Sequence, residues 1–187
     1  CKLLNSMSFG TDVVRVGKYA FGYCELLRNT YFPKEGLEVI DNYAFQACDR
    51  LKVKITWLDE NDMTVSQDGL PTTLKRIGTY AFEGSSYWDQ ALALVYVGDW
   101  VVGCVNASLQ TANLREDIRG IADYAFYGAM ALNKVVIPET VKYIGRCAFY
   151  NCASLVDIML PLDLLIFPPV VFRWWTWNQW RHHGCPR

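Results

Sequence analysis

The chain has 187 residues and a mass of 21.4 kDa, which is the length of about one domain. Hydrophobic residues make up 52% and charged residues 20% of the sequence, so the chain has enough apolar side chains to form a core and is not disordered throughout. The formal charge is -1 and no block of like charges occurs, which excludes the basic surface of a typical nucleic-acid-binding protein. No uncharged apolar run reaches the ~20 residues of a membrane-spanning helix.

A short motif that ends in an Ala-Phe pair recurs along the chain. Each copy starts with Val or Ile, and four of the five copies have Tyr before the Ala-Phe pair. The copies are Val16 to Phe21, Ile40 to Phe45, Ile77 to Phe82, Ile121 to Phe126 and Ile144 to Phe149. The first two phenylalanines are 24 residues apart and the last two are 23 apart, so the period is about 23 residues.

Two longer spacings interrupt this period. The second and third phenylalanines are 37 residues apart, and the polar stretch at residues 58–72 predicts an insertion there. The third and fourth are 44 residues apart, which is close to two periods. Near the midpoint of that gap, Val97 to Val102 resembles the motif with Trp100 in place of Tyr, which indicates a worn sixth copy.

The repeat extends beyond each phenylalanine, because residues of the same type recur at fixed distances after it. A small residue lies three positions on, as Cys24, Cys48, Ser85, Ala129 and Cys152. In the regular copies a leucine lies six positions on, as Leu27, Leu51, Leu132 and Leu155. Apolar residues then alternate up to a proline, as Val135 and Ile137 do before Pro138, and proline cannot donate to a strand ladder. Each copy therefore predicts one short strand.

The same spacing extends the repeat towards both ends of the chain. Cys1 lies one period before Cys24, and Phe172 lies one period after the last complete copy. We expect a solenoid over residues 1–172 with about seven coils, the first incomplete and the last degenerate, and a non-repeat Trp-rich tail at 173–187. Because the sequence starts in mid-repeat and shows no signal peptide, we expect a piece of a longer protein.

The period predicts the architecture. A unit of ~23 residues is too small to bury its own apolar face, and a period of ~20–29 residues with recurring Leu is typical of leucine-rich repeats. We predict an α/β solenoid whose short parallel strands form one curved sheet, with the Tyr-Ala-Phe segments as short helices or helical turns on the opposite side and the phenylalanines stacked inside. Four glycines are expected at turns with unusual backbone angles, namely Gly17, Gly78, Gly98 and Gly145.

The repeat resembles a known family. Ile-Gly-x-Tyr-Ala-Phe, then a small residue or Cys, then Leu-x-x-Val-x-Ile-Pro is similar to the BspA-type leucine-rich repeat of bacterial and protozoan surface proteins. The likeness covers about residues 1–160 and is clearest over Val135 to Leu160. It implies an extracellular or cell-surface protein whose repeats bind other proteins, in the manner of an adhesion protein.

Residues typical of enzymes are scarce. Histidine occurs only as His182 and His183, so residues 1–181 cannot form a Ser-His-Asp triad or a Cys-His dyad. We expect a non-enzymatic protein without a cofactor or metal ion. The acidic residues of the insertion are Asp59, Glu60, Asp62 and Asp68. Their spacing does not match an EF-hand and favours a solvated loop over a calcium site.

The seven cysteines follow the repeat rather than a redox motif. Four of them share the small-residue position, namely Cys1, Cys24, Cys48 and Cys152. Cys acts at such a position as a small buried hydrophobe. Because side chains at one position of adjacent coils point in parallel, we expect free thiols there.

The tail at 173–187 allows three interpretations. It contains Trp174, Trp175, Trp177 and Trp180 close to Arg173 and Arg181. It could contact a membrane interface or a partner, or cover the end of the solenoid. His182, His183 and Cys185 could bind a metal ion. The interpretation that we favour is a non-native or frame-shifted end, because four Trp directly after a regular repeat are abrupt.

The candidate binding site is the outward face of the strands. Its residues lie between inward-facing strand positions and are Ser8, Tyr31, Lys54, Val136 and Met159. Solenoids use such a face for recognition, so we expect a protein partner there and no nucleic acid. The alternatives are an ordinary sheet surface and a structural spacer without a ligand of its own.

The residues of the first coil predict self-association of the protein. It would place Leu4, Met7 and Phe9 at an uncovered end of the stack. Because unpaired strand groups template pairing with other chains, we expect concentration-dependent self-association at that end.

Overall fold

The structure is a computed structural model that describes residues 1–165, so the degenerate copy around Phe172 and the tail at 173–187 lie outside the described residues. The described part is a β-solenoid of about seven turns. It contains 14 strands. The strands are β1 (Ser6–Ser8), β2 (Arg15–Val16), β3 (Asn29–Pro33), β4 (Val39–Ile40), β5 (Lys52–Leu58), β6 (Thr64–Asp68), β7 (Arg76–Ile77), β8 (Leu94–Val97), β9 (Trp100–Cys104), β10 (Thr111–Asn113), β11 (Gly120–Ile121), β12 (Lys134–Val136), β13 (Tyr143–Ile144) and β14 (Asp157–Met159).

The strands form four sheets rather than the one curved sheet that we predicted. Their orders are β1-β3-β5-β6, β2-β4-β7, β13-β11-β9-β8 and β10-β12-β14. A regular copy contributes two strands, not one, because the first residue of the motif also pairs with the neighbouring coil. Val16, Ile40 and Ile77 are in parallel register, and their side chains are buried. The prediction missed these strands because two residues are too few to show a period of 2.

The Tyr-Ala-Phe segment was predicted to be helical, and this is wrong, since no helix occurs in residues 1–165. Two positions of each copy have left-handed backbone angles, which a helix cannot contain. At the tyrosine position the angle φ lies between 52° and 60° in Tyr19, Tyr43, Tyr80, Tyr124 and Cys147. The second position, four residues later, is held by Tyr23, Ala47, Gly84, Gly128 and Asn151.

The hydrogen bonds of this segment explain its shape. The N–H groups alternate in direction: Phe21 N–H bonds to the Ala44 carbonyl of the following coil at 2.8 Å, and the next one, Gly22 N–H, bonds within the coil to the Tyr19 carbonyl at 3.1 Å. The segment is therefore a series of tight turns joined sideways to the next coil. Residues 1–165 hence contain no helix that could cross a membrane.

The predicted phenylalanine ladder is confirmed. The rings of Phe21, Phe45 and Phe82 stack at centroid distances of 5.3 Å and 5.4 Å, and those of Phe126 and Phe149 stack at 4.9 Å. The small-residue position and the leucine position are buried in every regular copy of the described region. Stacking of coils therefore supplies the core, as expected for a repeat that cannot fold alone.

The region between the two ladders departs from the repeat. Val97 to Val102 spans the end of β8, a turn and the start of β9. The predicted alignment of this worn copy is wrong by four residues, since Val101 and not Val97 pairs with Ile121. Strands β8 and β9 form an antiparallel hairpin whose turn is Gly98-Asp99. A hairpin needs a residue with positive φ, and Gly98 supplies it at 57°.

The other predicted turn glycines have a different role. Gly17, Gly78 and Gly145 do not have positive φ. A Cβ atom at Gly78 would lie 2.5 Å from the backbone nitrogen of Asn42, and one at Gly145 would lie 2.5 Å from the carbonyl carbon of Ala122. These two glycines therefore allow adjacent coils to approach closely.

The insertion is a hairpin. Strand β6 pairs antiparallel with β5, and the turn is held by the Asp59 carboxylate, which accepts the N–H groups of Asn61 and Met63 at 2.9 Å each. Asp68 lies 3.3 Å from the Lys54 ammonium group. Within residues 1–165 no group of His, Cys, Asp and Glu is placed to hold a metal ion.

Arg76 joins the coils on both sides of the irregular region. Its guanidinium group donates to the carboxylate of Asp123 at 2.7 Å and to that of Asp41 at 3.3 Å. Asp123 is only 3% exposed, and its second oxygen accepts the N–H of Arg146 at 2.8 Å. The Asp123 carboxylate thus links its own coil to the coils of Arg76 and Arg146.

Arg119 forms a second link across the same region. It donates to the Asp99 carboxylate at 2.9 Å and to the Pro71 carbonyl at 2.8 Å. Burial raises the pKa of Asp99, although Arg119 opposes that shift. Backbone pairing is irregular here, and these side-chain hydrogen bonds add to the backbone bonds between the coils.

The thiols of the small-residue position are free, as predicted, and Cys24, Cys48 and Cys152 are buried, but Cys1 is exposed because no coil of the described chain precedes it. They also donate hydrogen bonds, which the prediction did not include. Cys48 Sγ donates to the Phe21 carbonyl and Cys152 Sγ to the Phe126 carbonyl, both at 3.0 Å. Burial raises the pKa of Cys48 to about 11 and that of Cys152 to about 12.

We expect Asp123→Asn to lower the free energy of unfolding by about 2 kcal/mol, because it removes charge-assisted hydrogen bonds from a buried site. Urea unfolding followed by circular dichroism measures this. Asp117→Asn is the matched control, since Asp117 pairs with Arg115 on the surface and should change stability by less than about 0.5 kcal/mol. Equal losses in the two variants would contradict the role of Arg76 and Asp123.

We expect Cys48 and Cys152 to resist alkylation in the folded protein, whereas the exposed Cys1 reacts. At pH 9 a thiol with a pKa of about 11 is only about 1% thiolate. Iodoacetamide labelling and peptide mass mapping, with and without urea, measure the difference. Rapid labelling of Cys48 without urea would show that the coils open readily.

Candidate functional site

The first part of the predicted binding face lies on the sheet of β1, β3 and β5. Ser8 is opposite Tyr31, and Tyr31 is opposite Lys54, so the three form one row. Their strand neighbours Thr30 and Phe32 are fully buried, which turns the side chain of Tyr31 outward. The side chains of this row therefore lie on the face of the sheet away from the core.

The second part lies on the sheet of β10, β12 and β14. Val136 is opposite Met159 and is 39% exposed, and Met159 is 73% exposed. Asn113 is opposite Val136 on the other side and extends the row. Sequence reasoning missed Asn113, although it lies one period of 23 residues before Val136.

The five predicted residues therefore lie in two rows on separate sheets, not in one continuous row. The first sheet ends at β6, which belongs to the insertion hairpin, and the second begins at β10. We call them the Tyr31 row (Ser8, Tyr31 and Lys54) and the Met159 row (Asn113, Val136 and Met159). The spacing of the motif copies located the insertion in the sequence, but it did not predict that the insertion pairs with β5.

Two lysines on the strand face are paired with carboxylates. The Lys54 ammonium group lies 3.3 Å from Asp68, and the Lys134 ammonium group lies 2.8 Å from Asp157. These ion pairs reduce the net charge of the face. What the rows offer a partner is therefore mainly an aromatic ring, a thioether and an aliphatic side chain.

A second surface feature lies on the turn side and was not predicted. A groove with a volume of about 530 Å³ contains five tyrosines and two neutral polar residues. Its lining residues are Asn42, Tyr43, Thr79, Tyr80, Tyr124, Tyr127 and Tyr150. We call it the tyrosine groove. The recurring Tyr of the motif was a signal for it, but the helical assignment of that segment concealed the exposed rings.

Solved structures with a similar fold come from several bacteria. A leucine-rich-repeat protein of T. pallidum is 23% identical, with 84% of this chain and 59% of that chain covered and a TM-score of 0.40. A leucine-rich cell surface protein of Faecalibacterium prausnitzii is 22% identical, with 92% and 45% covered and a TM-score of 0.45. The pneumococcal vaccine antigen PcpA is 16% identical, with 86% and 51% covered and a TM-score of 0.38. The chain thus spans 45–59% of the length of these three proteins.

No curated protein matches the chain significantly. The sequence profile of the BspA type leucine rich repeat region matches six copies, over residues 1–86 and 103–177. The unmatched residues between these ranges contain β8 and most of β9, which is the part where the coil pairing is irregular. The profile covers most of the sequence, and the chain belongs to the BspA-type leucine-rich-repeat family.

Proposed function

We propose that the chain is a non-enzymatic protein-binding module, of the kind used in adhesion, that acts at the cell surface or outside the cell. The observation that carries this proposal is the in-register exposure of apolar side chains on the strand face. Val136 and Met159 are neighbours across two strands and both are exposed. An isolated exposed apolar residue needs no explanation, whereas neighbouring ones form a continuous apolar patch, and such patches mark interaction sites when they are large.

The Met159 row suits a protein partner. Methionine is flexible and polarizable, so it adapts to the shape of an apolar partner surface. Val136 provides a rigid neighbour, and Asn113 adds an amide that can form hydrogen bonds at the border. An apolar centre with polar groups around it is the usual arrangement of a protein interface.

The Tyr31 row adds a second contact. Tyrosine contributes a large ring and a hydroxyl group, and it is frequent among residues that dominate binding energy. Lys54, in the adjacent strand, is paired with Asp68, and Tyr31 itself is half-buried. We infer that the two rows contact one extended partner, since they belong to one solenoid.

The proposed location is supported by the family and by the F. prausnitzii protein, which is itself a leucine-rich cell surface protein. The same repeats could instead act as a spacer, and the binding experiment below distinguishes the two functions.

We expect the triple change of Tyr31, Lys54 and Met159 to Ala to weaken partner binding by at least about 2 kcal/mol, because it removes the main side chains of both rows. The full chain is applied to an array of purified extracellular proteins, and the dissociation constant of each ligand is measured by biolayer interferometry. Circular dichroism confirms that the variant is folded.

Tyr23→Ala is the control, because Tyr23 is exposed on the turn side and belongs to neither row. It should leave the affinity unchanged. Unchanged affinity of every detected ligand for the triple variant would refute the strand-face site. A complete lack of ligands would favour the spacer function.

A further inference from the structure

The four sheets are interrupted at one place in the chain. The sheet of β1, β3, β5 and β6 and the sheet of β2, β4 and β7 lie within residues 6–77, and the other two sheets lie within residues 94–159. No strand of residues 1–88 pairs with a strand of residues 94–165. We call residues 1–88 the N-terminal stack, residues 94–165 the C-terminal stack and the boundary between them the junction.

Within each stack, a ladder of backbone hydrogen bonds joins the turn segments of neighbouring coils. In the N-terminal stack the N–H groups of Tyr43, Phe45 and Ala47 donate to carbonyls of the next coil at 2.8–3.1 Å. The corresponding residues of the C-terminal stack donate in the same way at 2.8–3.0 Å, and they are Tyr124, Phe126 and Gly128. Regular coils are therefore bonded along the whole turn segment.

This ladder is interrupted at the junction. Tyr80, Phe82 and Gly84 hold the same positions in the last turn segment of the N-terminal stack. None of these three N–H groups donates to a carbonyl of the C-terminal stack. The backbone hydrogen bond that does cross the junction runs from Asp123 N–H to the Ile77 carbonyl at 2.9 Å. Backbone bonding between the two stacks is thus much weaker than within either stack.

Two arginines cross the junction in opposite directions. Arg76 of the N-terminal stack donates to the Asp123 carboxylate at 2.7 Å. Arg119 of the C-terminal stack donates to the carbonyls of Pro71, at 2.8 Å, and Thr72. Each stack therefore supplies one arginine that binds the other stack. Because Asp123 is buried, removal of Arg76 would leave its carboxylate without a cationic partner.

An apolar contact with incomplete packing completes the junction. Trp88 is fixed to the N-terminal stack, since its N–H donates to the Ser85 carbonyl at 2.9 Å. Its indole ring lies on Gly103 of β9 and leaves no room there for a Cβ atom. A cavity of about 90 Å³ remains beside this contact, and Cys104 is one of its lining residues. The atoms around a cavity lack packing partners on that side, which weakens the contact between the stacks.

The energetics of repeat proteins indicate where such a solenoid divides. Its stability is approximately a sum over coils and over the interfaces between neighbouring coils, so local opening begins at the weakest interface. At the junction, two arginine side chains and one tryptophan contact take the place of the backbone ladder. Residues 87–102, which the family profile leaves unmatched, lie at the same place.

We propose that the junction is a hinge held closed by Arg76 and Arg119, and that it opens as a local step before either stack unfolds. Opening changes the angle between the Tyr31 row, which lies on the N-terminal stack, and the Met159 row, which lies on the C-terminal stack. A partner that contacts both rows would then select one setting of the hinge. This consequence rests on the proposed strand-face function, whereas the hinge itself does not.

Three thiols of the chain report on the three regions. Cys48 is buried in the N-terminal stack, Cys152 is buried in the C-terminal stack, and Cys104 lines the junction cavity. The full chain is pulse-labelled with iodoacetamide at urea concentrations below the unfolding transition, and peptide mass mapping gives the rate at each thiol. We expect Arg76→Gln to raise the labelling rate of Cys104 by about tenfold, because it removes a charge-assisted hydrogen bond from a buried carboxylate. The rates of Cys48 and Cys152 should not change.

Arg15→Gln is the matched control. Arg15 holds the same strand position two coils earlier, and its guanidinium group donates to Asp41 at 2.9 Å within the N-terminal stack. This variant should leave the labelling rate of Cys104 unchanged. An unchanged Cys104 rate in Arg76→Gln, an equal rise at all three thiols, or the same rise in Arg15→Gln would overturn the proposal.

Hydrogen exchange of the unmodified chain, followed by NMR, tests the hinge without a substitution. The amide of Asp123 is bonded across the junction, whereas those of Phe45 and Phe126 are bonded within a stack. We expect the Asp123 amide to exchange at least about tenfold faster than the other two, since it needs only the local opening. Equal protection of the three amides would show that the solenoid opens as one unit and would refute the hinge.

Discussion

The fold depends on one constraint, which is that the backbone of each turn segment must form hydrogen bonds with the next coil. Left-handed residues at two positions of each copy direct alternate N–H groups sideways, as in the bond from Phe45 to the Ala81 carbonyl at 2.8 Å. The same geometry places the phenylalanine inside and the tyrosine outside. The aromatic core and the exposed tyrosines therefore follow from a single backbone conformation.

The irregular middle region shows what happens when a coil loses the motif. There the backbone ladder is replaced by the hairpin of β8 and β9, and Trp88 and Trp100 occupy space near the core. Arg76 and Arg119 link the coils on either side through buried or half-buried acceptors. The stack continues across this region because side-chain hydrogen bonds and direct contacts between non-sequential coils replace the missing repeat.

The two surfaces of the solenoid differ in chemistry. The strand face carries separate rows with a few apolar side chains and paired charges, whereas the turn side carries a neutral groove with several tyrosine rings. The insertion hairpin ends the first sheet at β6 and so divides the strand face. The antiparallel hairpin of β8 and β9 interrupts the regular repeat in the middle of the chain.

The sequence alone determined the repeat, its period, the family, the buried phenylalanine and thiol positions and the outward direction of Tyr31 and Met159. These depend on residue type at a fixed spacing, and identical residues in stacked coils must meet. Only the tertiary structure decided that the turn segment is not helical, that Val101 rather than Val97 pairs with Ile121, and that tyrosines from four copies meet in one groove. The physical reason is that these features depend on hydrogen bonds and contacts between coils, which no local pattern in the sequence specifies.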